Sequence, residues 1–95
     1  MDTFIMMGKY STDAVKEICG DSATKANQIV KQCGGNIVGA YATLGEVDML
    51  VIARFPSVTE AIKASFGLNK ALGISFATRP AIRIEDFDKL VGGKP

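Results

Sequence analysis

The strongest constraint on the fold of this chain is a pair of strand-like segments joined by a Gly-Glu dipeptide. The segments "NIVGAYATL" (residues 36–44) and "VDMLVIARF" (residues 47–55) are rich in β-branched and aromatic residues, and Gly45 and Glu46 lie between them. Two such segments separated by a Gly-X pair predict a hairpin whose glycine takes the positive φ of a type II′ turn. We therefore predict a tight turn over residues 44–47, with Glu46 exposed and antiparallel strands on either side.

The segments before the hairpin predict one strand and one helix. "TFIMMGKY" (residues 3–10) is a short apolar run that predicts a strand. Between residues 11 and 33 apolar residues recur at three- and four-residue steps, which is typical of an amphipathic helix. Ser11 is its expected N-cap, "CGDS" (residues 19–22) divides it into two pieces, and Gly34-Gly35 ends it.

The segments after the hairpin repeat this pattern in reverse order. "SVTE" (residues 57–60) predicts a capping box at the start of a helix that ends at Gly73. "ISFATRPAIRI" (residues 74–84) predicts a strand, and Pro80 places it at a sheet edge or a bulge because proline cannot donate to a ladder. Residues 85–91 predict one or two helical turns.

The predicted order of elements is β-α-β-β-α-β within a single domain over residues 1–95. This order is that of the ferredoxin-like α+β sandwich, in which a four-stranded antiparallel sheet carries both helices on one face.

Two of the predicted strands have no polar face. "FIMM" (residues 4–7) and "MLVI" (residues 49–52) are continuous apolar runs, whereas a sheet with one solvated face alternates apolar and polar residues. Residues 47–55 are therefore predicted to be buried on both faces. The helices cover one face, so the other is expected to meet the sheet of a second copy, in a homodimer or a larger ring.

The composition excludes several classes of function. The chain has no histidine, which removes His-centred triads, histidine proton transfer and mixed Cys/His zinc sites. A net charge of +1 gives no electrostatic reason to expect nucleic acid. The start of the chain does not resemble a signal peptide, and no apolar run is long enough to span a membrane, so we expect a cytoplasmic protein. Cys19 and Cys33 are expected to pack in the core, and neither a metal nor a cofactor is expected.

Several motifs together resemble the GYD domain family over nearly the whole chain. They are "GKYST" after the first strand, "GG" before the second, "Y-x-TLGE-x-D" (residues 41–48), and the phenylalanine within "IEDFDKL". The family is named after a Gly-Tyr-Asp signature, and here Val47 stands in place of its tyrosine while Asp48 is kept. The resemblance implies a fold similar to dimeric α+β barrels, and it implies no particular activity.

Polar and amphipathic residues on or beside the predicted strands are the candidate ligand-binding residues, and no catalytic residue is assigned. They are Lys9, Tyr10, Tyr41, Thr43, Asp48, Arg54 and Arg79. A structural role is the alternative for each of them, and for Asp48 that role is a hydrogen bond to a local backbone amide.

Three classes of function stay open at this point. The first is a binding, regulatory or assembly module. The second is a small cofactor-independent enzyme that acts on an anionic or aromatic small molecule in a cavity of the dimeric barrel. The third is nucleic-acid binding on the open sheet, which the near-neutral charge disfavours.

Overall fold

The computed structural model describes residues 1–11 and 22–92. These residues form an α+β domain with a four-stranded antiparallel sheet and three helices. The elements in chain order are β1 (Asp2–Tyr10), α1 (Ser22–Gln32), β2 (Asn36–Ala42), β3 (Met49–Phe55), α2 (Val58–Leu72), β4 (Ile74–Ala81) and α3 (Ile84–Gly92). The predicted β-α-β-β-α-β order is confirmed. The predicted first helical piece, Cys19 and the break at "CGDS" up to residue 21 lie outside the described residues.

The strand order in the sheet is β2-β3-β1-β4, and each neighbouring pair is antiparallel. This order fits the ferredoxin-like plan, with β1 and β3 in the centre. Pro80 lies in β4, which is an edge strand. This confirms the edge position that was predicted because proline has no amide hydrogen to donate. The edge strand β2 carries a bulge between Ile37 and Gly39 that the sequence did not signal.

The ends of α2 follow local capping chemistry. Ser57 is the N-cap, and its hydroxyl oxygen accepts a hydrogen bond from the Thr59 amide at 3.2 Å. The same hydroxyl donates to the Glu60 carboxylate, so Glu60 does not reach the Ser57 backbone as a capping box predicts. Gly73 ends the helix with φ 69°, and its amide donates to the Asn69 carbonyl.

One face of the sheet forms the hydrophobic core under α1 and α2. Phe4 and Phe55 meet edge to face, with ring centroids 5.8 Å apart. Cys33 is half-buried and packs against this core, as expected for a small apolar side chain. The buried members of the cluster are Phe4, Met6, Val30, Val51, Ala53, Phe55, Ala61, Ala64 and Leu68. Both helices therefore contribute to the same face, as the sequence predicted.

The predicted tight hairpin is wrong, although two of its details are confirmed. Strand β2 ends at Ala42 and β3 begins at Met49, so residues 43–48 form a wider connection. The Thr43 amide closes it by donating to the Asp48 carbonyl at 2.9 Å. Gly45 has φ 107° and Glu46 is exposed, both as predicted.

The prediction that residues 47–55 are buried on both faces is wrong for the single chain. Val51, Ala53 and Phe55 are buried on the helix side. Ile52 is only half-buried and Arg54 is exposed, because no element of the described chain covers their side of the sheet. The difference defines the surface on which the candidate site lies.

Candidate functional site

The sheet face opposite the helices, here called the open face, carries the strand residues that alternate with the core positions. Its central side chains are half-buried within one chain, whereas their chain neighbours Phe4, Met6, Val51 and Ala53 are almost fully buried. The open face consists of Thr3, Ile5, Met7, Lys9, Gly39, Tyr41, Leu50, Ile52, Arg54, Ser75, Ala77, Arg79 and Ala81.

Strand register sets these residues in rows that cross the sheet. In one row Ile52 of β3 is paired with Ile5 of β1 on one side and with Gly39 of β2 on the other. In the next row Leu50 is paired with Met7. These four aliphatic and thioether side chains form a continuous apolar centre two residues deep. An apolar surface of this kind is usually an interaction site.

Positive charges lie at both ends of this apolar centre. Arg79 on β4 is paired with Ile5, and Arg54 on β3 is paired with Thr3, so both arginines lie at the same end of the open face. The Arg54 guanidinium also donates to the Met1 carbonyl at 3.4 Å. Lys9 is at the opposite end, where it is paired with Ser75 and is exposed. Anionic groups are therefore the charged ligands that these ends favour.

Tyr41 extends the apolar centre towards the β2 edge. It is paired with Leu50, and its side chain is 59% exposed. The ring lies against Gly39, since a Cβ added at that glycine would be 3.4 Å from the Tyr41 ring. Such a Cβ would make ordinary van der Waals contact with the ring, which presents both an apolar surface and a hydroxyl group.

Asp48 organises the connection between β2 and β3 through its backbone and its side chain. Its Oδ2 atom accepts a hydrogen bond from the Tyr10 amide at 2.9 Å. Its own amide donates to the Gly8 carbonyl at 2.8 Å, and its carbonyl accepts from Thr43. The Thr43 hydroxyl in turn donates to the Val47 carbonyl at 2.7 Å. Asp48 therefore holds the connection to the end of β1, just beyond the last residue pair between β1 and β3.

The structure divides the seven predicted ligand-binding residues into two groups. Four of them, Lys9, Tyr41, Arg54 and Arg79, lie on the open face. Tyr10, Thr43 and Asp48 meet beside its Lys9 end, where they are joined by the hydrogen bonds of Asp48. Tyr10 contributes its amide there, whereas the strand alternation directs its half-buried side chain to the helix side, opposite Ile74.

Two exposed apolar surfaces outside the open face were not predicted as functional. One follows α2 and the other follows α3, and their most exposed members are Phe66 at 69% and Leu90 at 75%. The signal for the first was present in the sequence, because Val58, Ile62 and Phe66 recur at four-residue steps and form a second stripe beside the core stripe.

The described residues provide no metal-binding constellation and no membrane-spanning helix. Within residues 1–11 and 22–92, no three His, Cys, Asp or Glu side chains lie close enough to hold a metal ion. No helix in those ranges has the length and apolar character needed to cross a bilayer.

The sequence model of the GYD domain family matches residues 4–91, which is almost the whole chain. The chain belongs to the GYD domain family. In this GYD domain the Val47 carbonyl accepts a hydrogen bond from the Thr43 hydroxyl, and the Asp48 carboxylate accepts one from the amide of Tyr10 at the end of β1. No curated protein is found to be similar to the chain in sequence.

A solved structure with a similar fold is the Mycobacterium tuberculosis leucine response regulatory protein. The TM-score is 0.65 at 8% sequence identity, and the match covers 86% of the GYD chain and 51% of the regulator. The chain thus spans about half the length of this structural neighbour, and the likeness concerns the fold.

Proposed function

We propose that this GYD domain is a cytoplasmic binding or regulatory module that works as a homo-oligomer, with the open faces of two copies packed against each other as a dimeric α+β barrel. The observation that carries the proposal is the apolar centre of the open face, formed by Ile5, Met7, Leu50 and Ile52, which one chain leaves partly exposed. Burial of apolar surface contributes about 25 cal/mol per Å², so a second copy of the same surface stabilises the assembly.

The charges on the open face are consistent with this packing. Lys9, Arg54 and Arg79 lie at the ends of the face, where charged side chains remain in contact with water when the apolar centre is covered. The structural neighbour is a leucine response regulatory protein, which supports a regulatory role for the domain. A net charge of +1 supports self-association over nucleic-acid binding.

The test is the molecular mass in solution, which tells monomer from oligomer, for two matched variants. Ile52→Asp places a charge in the apolar centre, and Thr24→Asp adds the same charge to an exposed position on α1. We expect light scattering to give a folded monomer for Ile52→Asp and an unchanged oligomer for Thr24→Asp, because an unpaired buried charge is costly. An oligomer that survives Ile52→Asp would refute packing through the open face.

A second candidate is a site for an anionic or aromatic small molecule between the two sheets, used for binding or for cofactor-independent catalysis. It is supported by the location of Arg54, Arg79 and Tyr41 around one apolar surface. We expect benzoate, which is both aromatic and anionic, to raise the thermal midpoint more than its neutral analogue benzamide does. The benzoate effect should disappear in Arg79→Gln. Equal shifts of the thermal midpoint with both compounds would rule out this site. They would not bear on the proposal that the chain forms a homo-oligomer.

A further inference from the structure

Helix α3 has an apolar stripe that no described element of its own chain covers. Ile84, Phe87, Leu90 and Val91 are 64%, 46%, 75% and 66% exposed. At about 100° per residue these four side chains lie on one side of the helix. A helix of nine residues is marginal in water without tertiary packing, since isolated helices shorter than about 12–15 residues are scarcely stable. The stripe therefore needs a surface to pack on.

Helix α2 presents an apolar ridge that is similarly uncovered. Val58, Ile62 and Phe66 follow one another at four-residue steps and are 53%, 49% and 69% exposed. A different side of α2 packs in the core, through Ala61, Ala64 and Leu68. The ridge is thus separate from the surface that holds α2 on the sheet.

Grooves flank this ridge where α2 lies beside the edge strand β4. One groove, of about 390 Å³, is lined by Ile62, Phe66 and Phe76 together with small polar residues. Another, of about 330 Å³, lies at the start of the ridge and is lined by Val58, Pro80 and Ile82 among others. Grooves along a ridge are the shape that the side chains of a second helix fill.

The stripe on α3 and the ridge on α2 match in length. At 1.5 Å per residue, Val58 to Phe66 spans about 12 Å and Ile84 to Val91 spans about 10 Å. The three- and four-residue rows on the two helices can interdigitate, as in ordinary helix packing.

The charges beside these two surfaces are opposite in sign. Lys70 continues the row of the α2 ridge by one more four-residue step, and Lys63 lies on its flank. On α3, Asp86 and Asp88 lie on the two sides of the apolar stripe. Packing of the stripe on the ridge therefore brings acidic and basic side chains together at its rim.

We propose that α3 of each copy packs its apolar stripe on the α2 ridge of a second copy. Within one chain the two surfaces do not meet, because both are about half exposed or more. Only Ile82 and Arg83 separate β4 from α3, and Arg83 is held by an ion pair of its Nη2 atom with Glu85 Oε2 at 2.5 Å. Strand β4 ends at Ala81, which is paired with Thr3 at the border of the open face. Helix α3 therefore begins beside the open face, the surface on which a second copy is proposed to pack.

We call this packing of α3 on α2 of the other copy the helix exchange. In a dimer with a two-fold axis it is reciprocal, so each dimer contains two such helix contacts. A stable interface buries roughly 1,200–2,000 Å² in total, which is more than one pair of short helices supplies. Two reciprocal contacts double the area that one helix pair supplies. The helix exchange does not require the open faces to pair, and it can be tested separately from them.

The test is zero-length carbodiimide cross-linking of a mixture of ¹⁴N- and ¹⁵N-labelled full-length chains. This reagent joins a carboxylate directly to a lysine amine, so it captures Asp86 or Asp88 in contact with Lys63 or Lys70. We expect mass spectrometry to find these cross-links in peptides of mixed isotope content. Cross-links found only within chains of one isotope, or no cross-link between these helices, would overturn the proposal.

Matched variants separate the helix contact from the open face. Phe87→Ser should reduce the mixed-isotope cross-link at least about tenfold, because truncation of a central aromatic side chain is among the costliest changes in an interface. Leu44→Ser, at a fully exposed position in the connection between β2 and β3, should leave it unchanged. Retention of the full cross-link yield in Phe87→Ser would overturn the proposal. If Ile52→Asp remains dimeric while Phe87→Ser loses the cross-link, the helix exchange stands and pairing through the open face fails.

Discussion

The two faces of the sheet differ in how far one chain completes them. On the helix side Met6, Ala53 and Phe55 have no measurable exposure. On the open side Ile5 and Ile52, which alternate with these residues along the same strands, are only half-buried. The central residues of β1 and β3 are apolar on both sides, and the single chain completes the burial of one side only.

The comparison predicts the largest effect for a charge placed on the covered face. Ala53→Asp should prevent folding, because burying an unpaired carboxylate costs several kcal/mol out of a total stability of roughly 5–15 kcal/mol. Ile52→Asp, at the adjacent residue, should fold and remain monomeric. Circular dichroism melting distinguishes the two variants, and similar unfolding of both would remove the distinction between the faces.

Removal of the Asp48 side chain should have the next largest effect. Asp48→Ala leaves the Tyr10 amide without its acceptor, and we expect a loss of about 1–3 kcal/mol in the free energy of unfolding. Asp48→Asn keeps an acceptor oxygen and should recover part of this loss. The measurement is urea denaturation. If Asp48→Ala keeps full stability and assembly but loses binding of an identified ligand, the role of Asp48 is in binding.

Substitution of Gly45 should cost a comparable or smaller amount. Gly45 has φ 107°, and a Cβ added there meets nothing within 4 Å, so the penalty comes from the backbone alone. We expect Gly45→Val to cost about 1–3 kcal/mol, because a β-branched residue resists positive φ. Gly45→Asn should be milder, since asparagine tolerates positive φ better than other residues do. Equal thermal midpoints for Gly45→Val and the unchanged chain would contradict this account.

Glu46 provides the smallest predicted effect and the control for the connection between β2 and β3. Its side chain is exposed, and it makes no hydrogen bond or ion pair with the residues that the structure describes. Glu46→Ala should therefore change the free energy of unfolding by less than about 0.5 kcal/mol. A larger loss in the same urea experiment would show that the connection depends on more than Asp48 and Gly45.

Local signals in the sequence were sufficient to predict the elements and their order. The four-residue steps of α2, its end at Gly73 and the edge position of Pro80 follow from properties of single residues or short spacings. The alternation along residues 47–55 also identified which side chains share each face.

Features that depend on contacts between distant segments could not be predicted. The connection at residues 43–48 is wider than a two-residue turn because Asp48 bonds to β1, which is 38 residues away in sequence at Tyr10. The bulge next to Val38 depends on the register between β2 and β3, which the sequence does not state. The one or two helical turns predicted over residues 85–91 are confirmed as α3, but their sequence did not indicate what the apolar stripe contacts.

Multi-angle light scattering of the unmodified chain at micromolar concentration tests the central claim most directly. The claim is that a second copy covers the open face, so the predicted mass is twice the 10.1 kDa of one chain, or a higher multiple of it. In the same experiment Ile52→Asp should give 10.1 kDa. A mass of 10.1 kDa for the unmodified chain would contradict the account.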